Sequence, residues 1–283
     1  NAQYHRITRF RPNGVPLDRP GHYIYIRDDD TGEYWTISWQ PVGKDLSLAR
    51  YQVRHGLYYS VFSCDYQDIR AQQRLFIPLD DPVELWDVVL ENTGTRLRNL
   101  SIFSYCEFSF NHIDIDNQNF QMSLYCSGSS YHEGIIEIDQ HYNPQGFHFF
   151  TSTDEVDGFD AVRDCFIGPY RTETYPLAVE RGFCSGSTEL GGNHCGALHK
   201  RLKLSGGESA RLVFLLGDGD RHKGSELRKK YSNVSVVDQA FLALRAYWNE
   251  KCNAFQCRTP HQGMNTMLNT WNLYQAETNV VWS

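Results

Sequence analysis

The sequence comprises 283 residues with a mass of 32.8 kDa, enough to bury a substantial core in one large domain or in a domain with an appendage. A formal net charge of −7 and a sequence pI near 5.9 argue against nucleic acid or an anionic membrane as the main partner. No apolar run approaches the roughly 18 residues that a membrane-spanning helix needs.

The first part of the chain, residues 1–232, predicts many short β-strands. Tyrosine and isoleucine alternate within residues 22–27, apolar and polar side chains alternate in 34–39, and the glycine-containing run 28–32 between them predicts a hairpin turn. We expect no helix longer than two turns in this part. The same alternation predicts further strands at 83–91, 97–110, 135–139, 147–151, 202–204 and 211–216. Short strands separated by turn residues favour a mainly β fold, a large antiparallel β-sandwich.

The rest of the chain changes period and predicts two α-helices. From Ser235 onwards apolar residues recur at helical spacing, and Thr259 followed by Pro260 predicts the N-cap and first position of a second helix. The apolar stripe of that second helix consists of Met264, Met267, Leu268, Trp271 and Tyr274. Because so wide an apolar face needs a partner, we expect a helical linker at 233–258 and the first helix of a truncated helical domain at 259–283.

The cysteines and the chain ends lead to two further expectations. Eight cysteines are scattered without any CxxC pair, and several lie in apolar runs. This usage predicts buried free thiols in a reducing compartment, and so a cytoplasmic protein. The chain begins at Asn1 and ends in the apolar stretch 278–283 without a helix stop signal, which predicts that both ends are cut.

Three polar clusters have residue types found in catalytic or metal sites. The run 28–30 lacks the alternating ligands and distal glutamate of a calcium site, which favours a turn. His194, Cys195 and His199 lack a fourth ligand at zinc spacing, which favours a structural loop. Residues 157–164 combine carboxylates with an arginine. Glycosidic bond cleavage uses a pair of carboxylates, but salt bridges within a loop are the favoured interpretation of this segment. We therefore expect no metal site.

The most informative polar stretch is 114–122, where amides and acids follow a long apolar strand. Asn and Gln offer paired donors and acceptors, as vicinal sugar hydroxyls require. The chemistry of these residues leaves two interpretations open, a sugar-binding loop and an ordinary surface loop.

Several collinear sequence blocks carry a family resemblance. The blocks lie at 11–13, 19–23, 34–41, 54–57, 119–124, 158–164, 193–196 and 271–278. In this order they resemble the N-terminal region of glycoside hydrolase family 94, the inverting phosphorylases that include cellobiose and N,N′-diacetylchitobiose phosphorylases. The resemblance covers essentially the whole chain.

This resemblance implies an architecture and a reaction. The expected fold is a galactose-mutarotase-like super-sandwich followed by helices that lead into an (α/α)6 barrel. The expected reaction is phosphorolysis of a β-linked disaccharide, β-1,4 in the first instance, with inversion to an α-sugar 1-phosphate and a free sugar. Phosphate is then a co-substrate, no cofactor is needed, and the catalytic Asp belongs to the barrel, so no catalytic residue is expected in this chain. The implied partners are the disaccharide, phosphate, the chain's own barrel and a second copy in a homodimer.

The resemblance also implies substrate-binding residues. Asn119 and Gln121 match a family segment that lies near the acceptor sugar, and Met122, the third implied substrate-binding residue, stands where the cellobiose enzymes have an arginine. The residues within the matching blocks resemble the diacetylchitobiose type most, with cellobiose, cellobionic acid and laminaribiose phosphorylases as alternatives. A different class of alternative is a non-catalytic β-sandwich module for carbohydrate binding or dimerisation.

Overall fold

A computed structural model describes residues 7–8, 21–109, 125–141 and 146–282, with side chains up to Val280. Thirteen strands lie within these residues. They are β1 Tyr23–Asp28, β2 Tyr34–Thr36, β3 Arg50–His55, β4 Tyr59–Tyr66, β5 Ile69–Phe76, β6 Val83–Asn92, β7 Arg98–Glu107, β8 Ser127–His132, β9 Ile135–Gln140, β10 Phe147–Ser152, β11 Gly158–Val162, β12 His194–Leu204 and β13 Ser209–Asp218.

The strands form two antiparallel sheets, which confirms the predicted β-sandwich. One sheet has five described strands in the order β11-β12-β7-β1-β2, and the other has eight in the order β3-β4-β5-β6-β13-β10-β9-β8. The predicted hairpin is present, with Tyr25 opposite Thr36 and Arg27 opposite Tyr34. Each of the other predicted strands overlaps an observed one.

The main core lies between the two sheets. The fully buried rings of Trp35, Trp86 and Phe150 pack there with aliphatic side chains from both sheets. Burying one such large apolar side chain contributes about 1.5–3 kcal/mol. The period-2 alternation of the strands places these residues on the inner faces.

A helix that was not predicted packs on the outer face of the eight-stranded sheet. It is α3, Arg221–Tyr231, and it follows two short helices, α1 Arg163–Phe166 and α2 Leu177–Arg181. Only Gly224, Leu227 and Tyr231 of α3 are buried. The expectation of no helix longer than two turns before residue 232 is therefore wrong, because three buried positions in a strongly charged segment give too weak an apolar period.

The C-terminal part is helical, as predicted, with different bounds. Helix α4 spans Val234–Asn253, α5 spans Gln262–Thr266, a π-helical turn spans Met267–Trp271, and α6 spans Asn272–Trp282. The predicted N-cap at Thr259 is wrong: His261 caps α5 by accepting a bond from the Met264 N–H at 3.2 Å. Thr259 instead bonds to Asn265 through its backbone and hydroxyl.

None of the described helices is both long and apolar enough to cross a membrane. All eight cysteines are free thiols. Cys64, Cys106 and Cys195 are buried as predicted, whereas Cys165 is exposed, contrary to the prediction. The domain limits 1–232, 233–258 and 259–283 stay predictions.

Candidate functional site

The predicted substrate-binding residues Asn119, Gln121 and Met122 lie in the segment 110–124, outside the described residues. Ser109, the last described residue before that segment, is held from two sides. Its N–H donates to the Ile7 carbonyl at 2.9 Å, and its carbonyl lies 2.9 Å from Nε2 of His148. A carbonyl can only accept, so Nε2 of His148 carries a proton.

A cavity of about 390 Å³ opens beside His148, at the end of the sandwich where β1 and β6 begin. Its walls carry two imidazoles, two carboxylates and several aliphatic side chains. They are Ile7, Thr8, His22, Ile77, Pro82, Val83, Glu84, His148, Leu216 and Asp218. The His148 ring is nearly fully buried, and its Nδ1 lies 3.2 Å from the Asp218 carboxylate.

A second cavity, of about 450 Å³, adjoins the first and extends between the sheet and the C-terminal helices. The two cavities share Ile77 and Glu84, and together we call them the Glu84 groove. The second cavity is rich in aromatic side chains, contributed by Tyr58, Tyr59, Phe76, Trp248 and Tyr274. Aromatic faces beside a few polar groups are typical of small-molecule sites.

Glu84 is the charged residue common to both cavities, and it is held by two donors. Nδ1 of His22 lies 2.9 Å from its Oε1, and the Trp86 indole N–H donates to the same oxygen at 2.6 Å. The His22 ring stacks on Trp86 with centroids 5.0 Å apart. The pair is therefore fixed in position by both hydrogen bonding and ring stacking.

The pair shifts both pKa values in favour of the charged forms. Burial disfavours the imidazolium, but attraction to the Glu84 carboxylate outweighs burial and raises the pKa of His22. Burial likewise opposes the Glu84 carboxylate, yet His22 and the indole N–H stabilise it and lower its pKa. An ionised Glu84 can accept hydrogen bonds from a polar ligand, but it is unsuited to act as a general acid near neutral pH.

The acidic clusters considered from the sequence serve structural contacts. Asp28 is buried and pairs with Arg98 at 2.7 Å, and it also accepts a bond from the Asp30 N–H, which confirms the turn. Arg163 bridges Glu107 at 2.9 Å and Glu173 at 2.6 Å. The predicted salt bridges of 157–164 are thus present, although these residues form β11 and α1 rather than a loop.

His194, Cys195 and His199 are buried in strand β12, so the predicted structural loop is wrong. Gly196 lies within this strand where a Cβ would come within 2.9 Å of the Phe150 ring, so glycine allows the two sheets to approach closely at this point. In the part of the chain that the structure describes, no group of three His, Cys, Asp or Glu side chains could hold a metal ion.

Sequence reasoning did not identify the Glu84 groove. His22 lies in the block 19–23, and Glu84 is a carboxylate at the start of a strongly apolar strand. Nothing in the sequence separates Glu84 from Asp87 and Glu91 of the same strand, and Trp248 and Tyr274, which line the groove with it, are far away in sequence.

Comparisons with known proteins give a consistent result. The model "Glycosyl hydrolase 94, supersandwich domain" matches residues 1–234, and "Glycosyl hydrolase 94 superfamily, catalytic domain" matches residues 247–283. The chain is 52% identical over 286 aligned positions to the N,N'-diacetylchitobiose phosphorylase of Vibrio proteolyticus, covering 100% of this chain and 36% of that protein. The Vibrio furnissii protein of the same name is 51% identical with the same coverage.

More distant relatives carry other names. The solabiose phosphorylase of Paenibacillus borealis is 29% identical over 254 residues, covering 88% of this chain and 33% of that protein. The cellobionic acid phosphorylase of Neurospora crassa is 22% identical, covering 89% of this chain and 32% of that protein. The chain thus spans about a third of the length of these relatives.

Proposed function

Because this chain belongs to the glycosyl hydrolase 94 family, we propose that it is the N-terminal part of an inverting disaccharide phosphorylase. The first-choice substrate is N,N'-diacetylchitobiose. One observation carries this choice: identity is 52% and 51% to two proteins of that name but 29% and 22% to phosphorylases named for other disaccharides. Cellobiose, cellobionic acid and laminaribiose are the alternative substrates.

The proposed reaction is a single displacement at the anomeric carbon. Phosphate attacks that carbon as the glycosidic C–O bond breaks, and a general acid protonates the leaving sugar oxygen. The β-linked sugar is thereby released as its α-1-phosphate. Inorganic phosphate is the co-substrate, and the reaction requires no cofactor.

The general acid belongs, in this proposal, to the part of the protein beyond Ser283. The match to the catalytic domain begins only at residue 247, and Glu84 is held as a carboxylate by His22. Residues 1–283 alone are therefore expected to lack activity. The same match weighs against the alternative of a non-catalytic carbohydrate-binding or dimerisation module.

The sandwich contributes substrate binding in this proposal. Asn119 and Gln121 offer amide groups to sugar hydroxyls, and Met122 offers an uncharged surface in place of the arginine of cellobiose enzymes. We extend the proposal to a cytoplasmic homodimer.

The test is an assay of the complete protein against a panel of β-linked disaccharides, with and without phosphate. We expect sugar 1-phosphate release only with phosphate, fastest with N,N'-diacetylchitobiose. Hydrolysis at equal rates without phosphate would contradict the proposed reaction. A faster reaction with cellobiose, cellobionic acid or laminaribiose would change the substrate but keep the reaction class.

A further inference from the structure

A polar groove of about 250 Å³ lies on the outer face of the eight-stranded sheet, across the edge strand β3 and its neighbours β4 and β5. The strand register places Gln52 opposite Ser63, and Ser63 opposite Gln72. These three side chains line the floor of the groove, and we call them the amide row. Since neighbouring strands are about 4.8 Å apart, the row spans roughly 9.6 Å between the backbones of its two glutamines.

The amide row has no hydrogen-bond partners in the part of the chain that the structure describes. Among the described residues, none of its three side chains donates or accepts a hydrogen bond. Gln52 and Gln72 are exposed and Ser63 is half-buried in the middle. Two amides and a hydroxyl therefore present free donors and acceptors in one line.

Charged residues on both sides of the amide row are mostly neutralised by one another. On one side Arg70 bonds Asp65 at 3.2 Å and Glu91 at 3.1 Å. On the other side Arg74 pairs with Asp87 at 2.5 Å. The floor between them is uncharged, and Arg54 is the one lining cation for which the described residues provide no ion pair.

Aromatic side chains form the wall towards the helices. Tyr59 and Phe241 both line the groove, with ring centroids 5.5 Å apart at 72°. Phe241 is fixed by the Arg74 guanidinium, which lies 4.1 Å from its ring centroid. Because the guanidinium covers one face of Phe241, the apolar surface left for the C–H face of a sugar is that of Tyr59 and the rest of the Phe241 ring. Arg54, the remaining cation at the rim, offers further N–H donors.

From this combination we propose that the amide row binds a neutral oligosaccharide. Uncharged hydrogen-bonding groups in line, an aromatic wall and a span close to two linked sugar rings match that ligand class. A protein interface would instead require an apolar centre with a polar rim, and here the centre is polar. The proposal concerns binding alone and does not depend on phosphorolysis.

The test is calorimetric titration of the complete protein in phosphate-free buffer with two probes, tetra-N-acetylchitotetraose and cellotetraose. The double variant Gln52→Ala/Gln72→Ala removes the amides, and Ser63→Tyr fills the middle of the row. The matched control is Gln239→Ala, an exposed glutamine on α4 that lies outside the groove. Melting temperatures close to that of the unmodified protein identify correctly folded variants.

We expect at least one probe to bind the unmodified protein. One of its binding steps should be weakened tenfold or more in both groove variants, and the same step should be unchanged in the control. Added salt should leave that step nearly unaffected, whereas a steep salt dependence would indicate an anionic ligand and overturn the proposal. Identical isotherms for all four proteins would also overturn it. A changed oligomeric state in light scattering with unchanged isotherms would assign the groove to a protein interface instead. Because no phosphate is present, these outcomes stand even if the complete protein is no phosphorylase.

Discussion

Glu84 is a largely buried carboxylate that His22 and the Trp86 indole keep ionised. Its side chain and that of His22 are each only about a fifth exposed, at 23% and 22%. Removing one member of such a pair leaves the other charge without compensation, which costs more than the pair itself contributes. The pKa of His22 is raised and that of Glu84 is lowered, so the stabilisation that the pair provides is lost at both high and low pH.

We expect Glu84→Gln to lower the stability of the sandwich most between about pH 4.5 and 6.5. The raised pKa of His22 contributes stability that is complete below its ordinary value of 6.5 and is lost as the pH rises through the folded-state value. The lowered pKa of Glu84 contributes stability that is complete above its ordinary value of 4.5 and is lost as the pH falls.

Within that window the loss should be about 2 kcal/mol, typical of a hydrogen bond to a charged group. Hydrogen-exchange protection of the β6 amides in the complete protein measures it. The control is Glu250→Gln, an exposed carboxyl on α4. A loss that does not vary with pH would show that the pair does not titrate as described.

His199 should destabilise the fold in acid. Its ring is buried, stacks on Phe103 with centroids 4.3 Å apart, and lies 2.9 Å from the Ser101 hydroxyl. Burial, with the nearby charge of Arg201, lowers the pKa of His199 to about 4. The unfolded chain therefore takes up a proton near pH 6.5 that the folded chain resists down to about pH 4, and stability falls over that interval.

The loss from this residue should reach roughly 3 kcal/mol at pH 4, since each pKa unit corresponds to about 1.36 kcal/mol. His199→Gln keeps a hydrogen-bonding group for Ser101 and should abolish that part of the loss. Urea unfolding of the sandwich at several pH values between 7 and 4, monitored by pulse proteolysis, measures this loss of stability. The exposed His132→Gln serves as control and should behave like the unmodified protein.

At the scale of elements, the connection between α4 and α5 is held by two asparagines one helical turn apart. Asn265 accepts from the Thr259 N–H at 2.7 Å and donates to its carbonyl at 3.0 Å. Asn269, within the π-helical turn, makes the same pair of bonds with Cys257, both at 2.8 Å. Each asparagine amide thus bonds both the N–H and the carbonyl of one residue in the connection, as a neighbouring β-strand would, and holds the connection alongside the helix.

We expect Asn269→Ala to expose the Cys257 amide. The Cys257 N–H then has no acceptor, and the lost hydrogen bond is worth about 1.5 kcal/mol. Because 1.4 kcal/mol corresponds to a factor of ten, hydrogen exchange of that amide should be roughly tenfold faster. Mass-spectrometric exchange on the complete protein measures the effect. Asn272→Ala, an exposed asparagine three residues further on, should leave the rate unchanged. Equal rates in both variants would mean that the backbone is held by other contacts.

Elements were predictable where the apolar period was strong. The hairpin of β1 and β2 and the strands β6, β9, β10 and β13 follow from short apolar, aromatic or β-branched runs bounded by turn residues. Both faces of β10 and β13 are buried, so the run of apolar residues rather than a strict alternation carries the signal there. The start of α5 was misplaced because Thr259 and Pro260 form a typical helix start in sequence, while the asparagine contacts that extend this segment are tertiary. Helix α3 was missed because only three of its positions face the sheet.

At the scale of the whole molecule, the sandwich could be predicted but its groove could not. A local pattern identifies each strand, and turn chemistry joins them. The Glu84 groove, by contrast, combines His22, Glu84, Trp248 and Tyr274, which only the three-dimensional arrangement of sheets and helices brings together. The amide row likewise depends on the register of three strands.

The proposed function makes Gln121 the decisive residue of this chain for the reaction of the complete protein. If its amide bonds the disaccharide equally in the ground state and the transition state, Gln121→Ala raises KM and leaves kcat nearly unchanged. Losing one or two hydrogen bonds of about 1 kcal/mol each should raise KM by roughly fivefold to thirtyfold. Steady-state rates of sugar 1-phosphate release with N,N'-diacetylchitobiose measure both constants, with Gln239→Ala as the matched control.

A variant with unchanged KM and kcat would remove Gln121 from the substrate site while leaving phosphorolysis intact. A fall in kcat at constant KM would instead mean that the amide acts on the transition state alone.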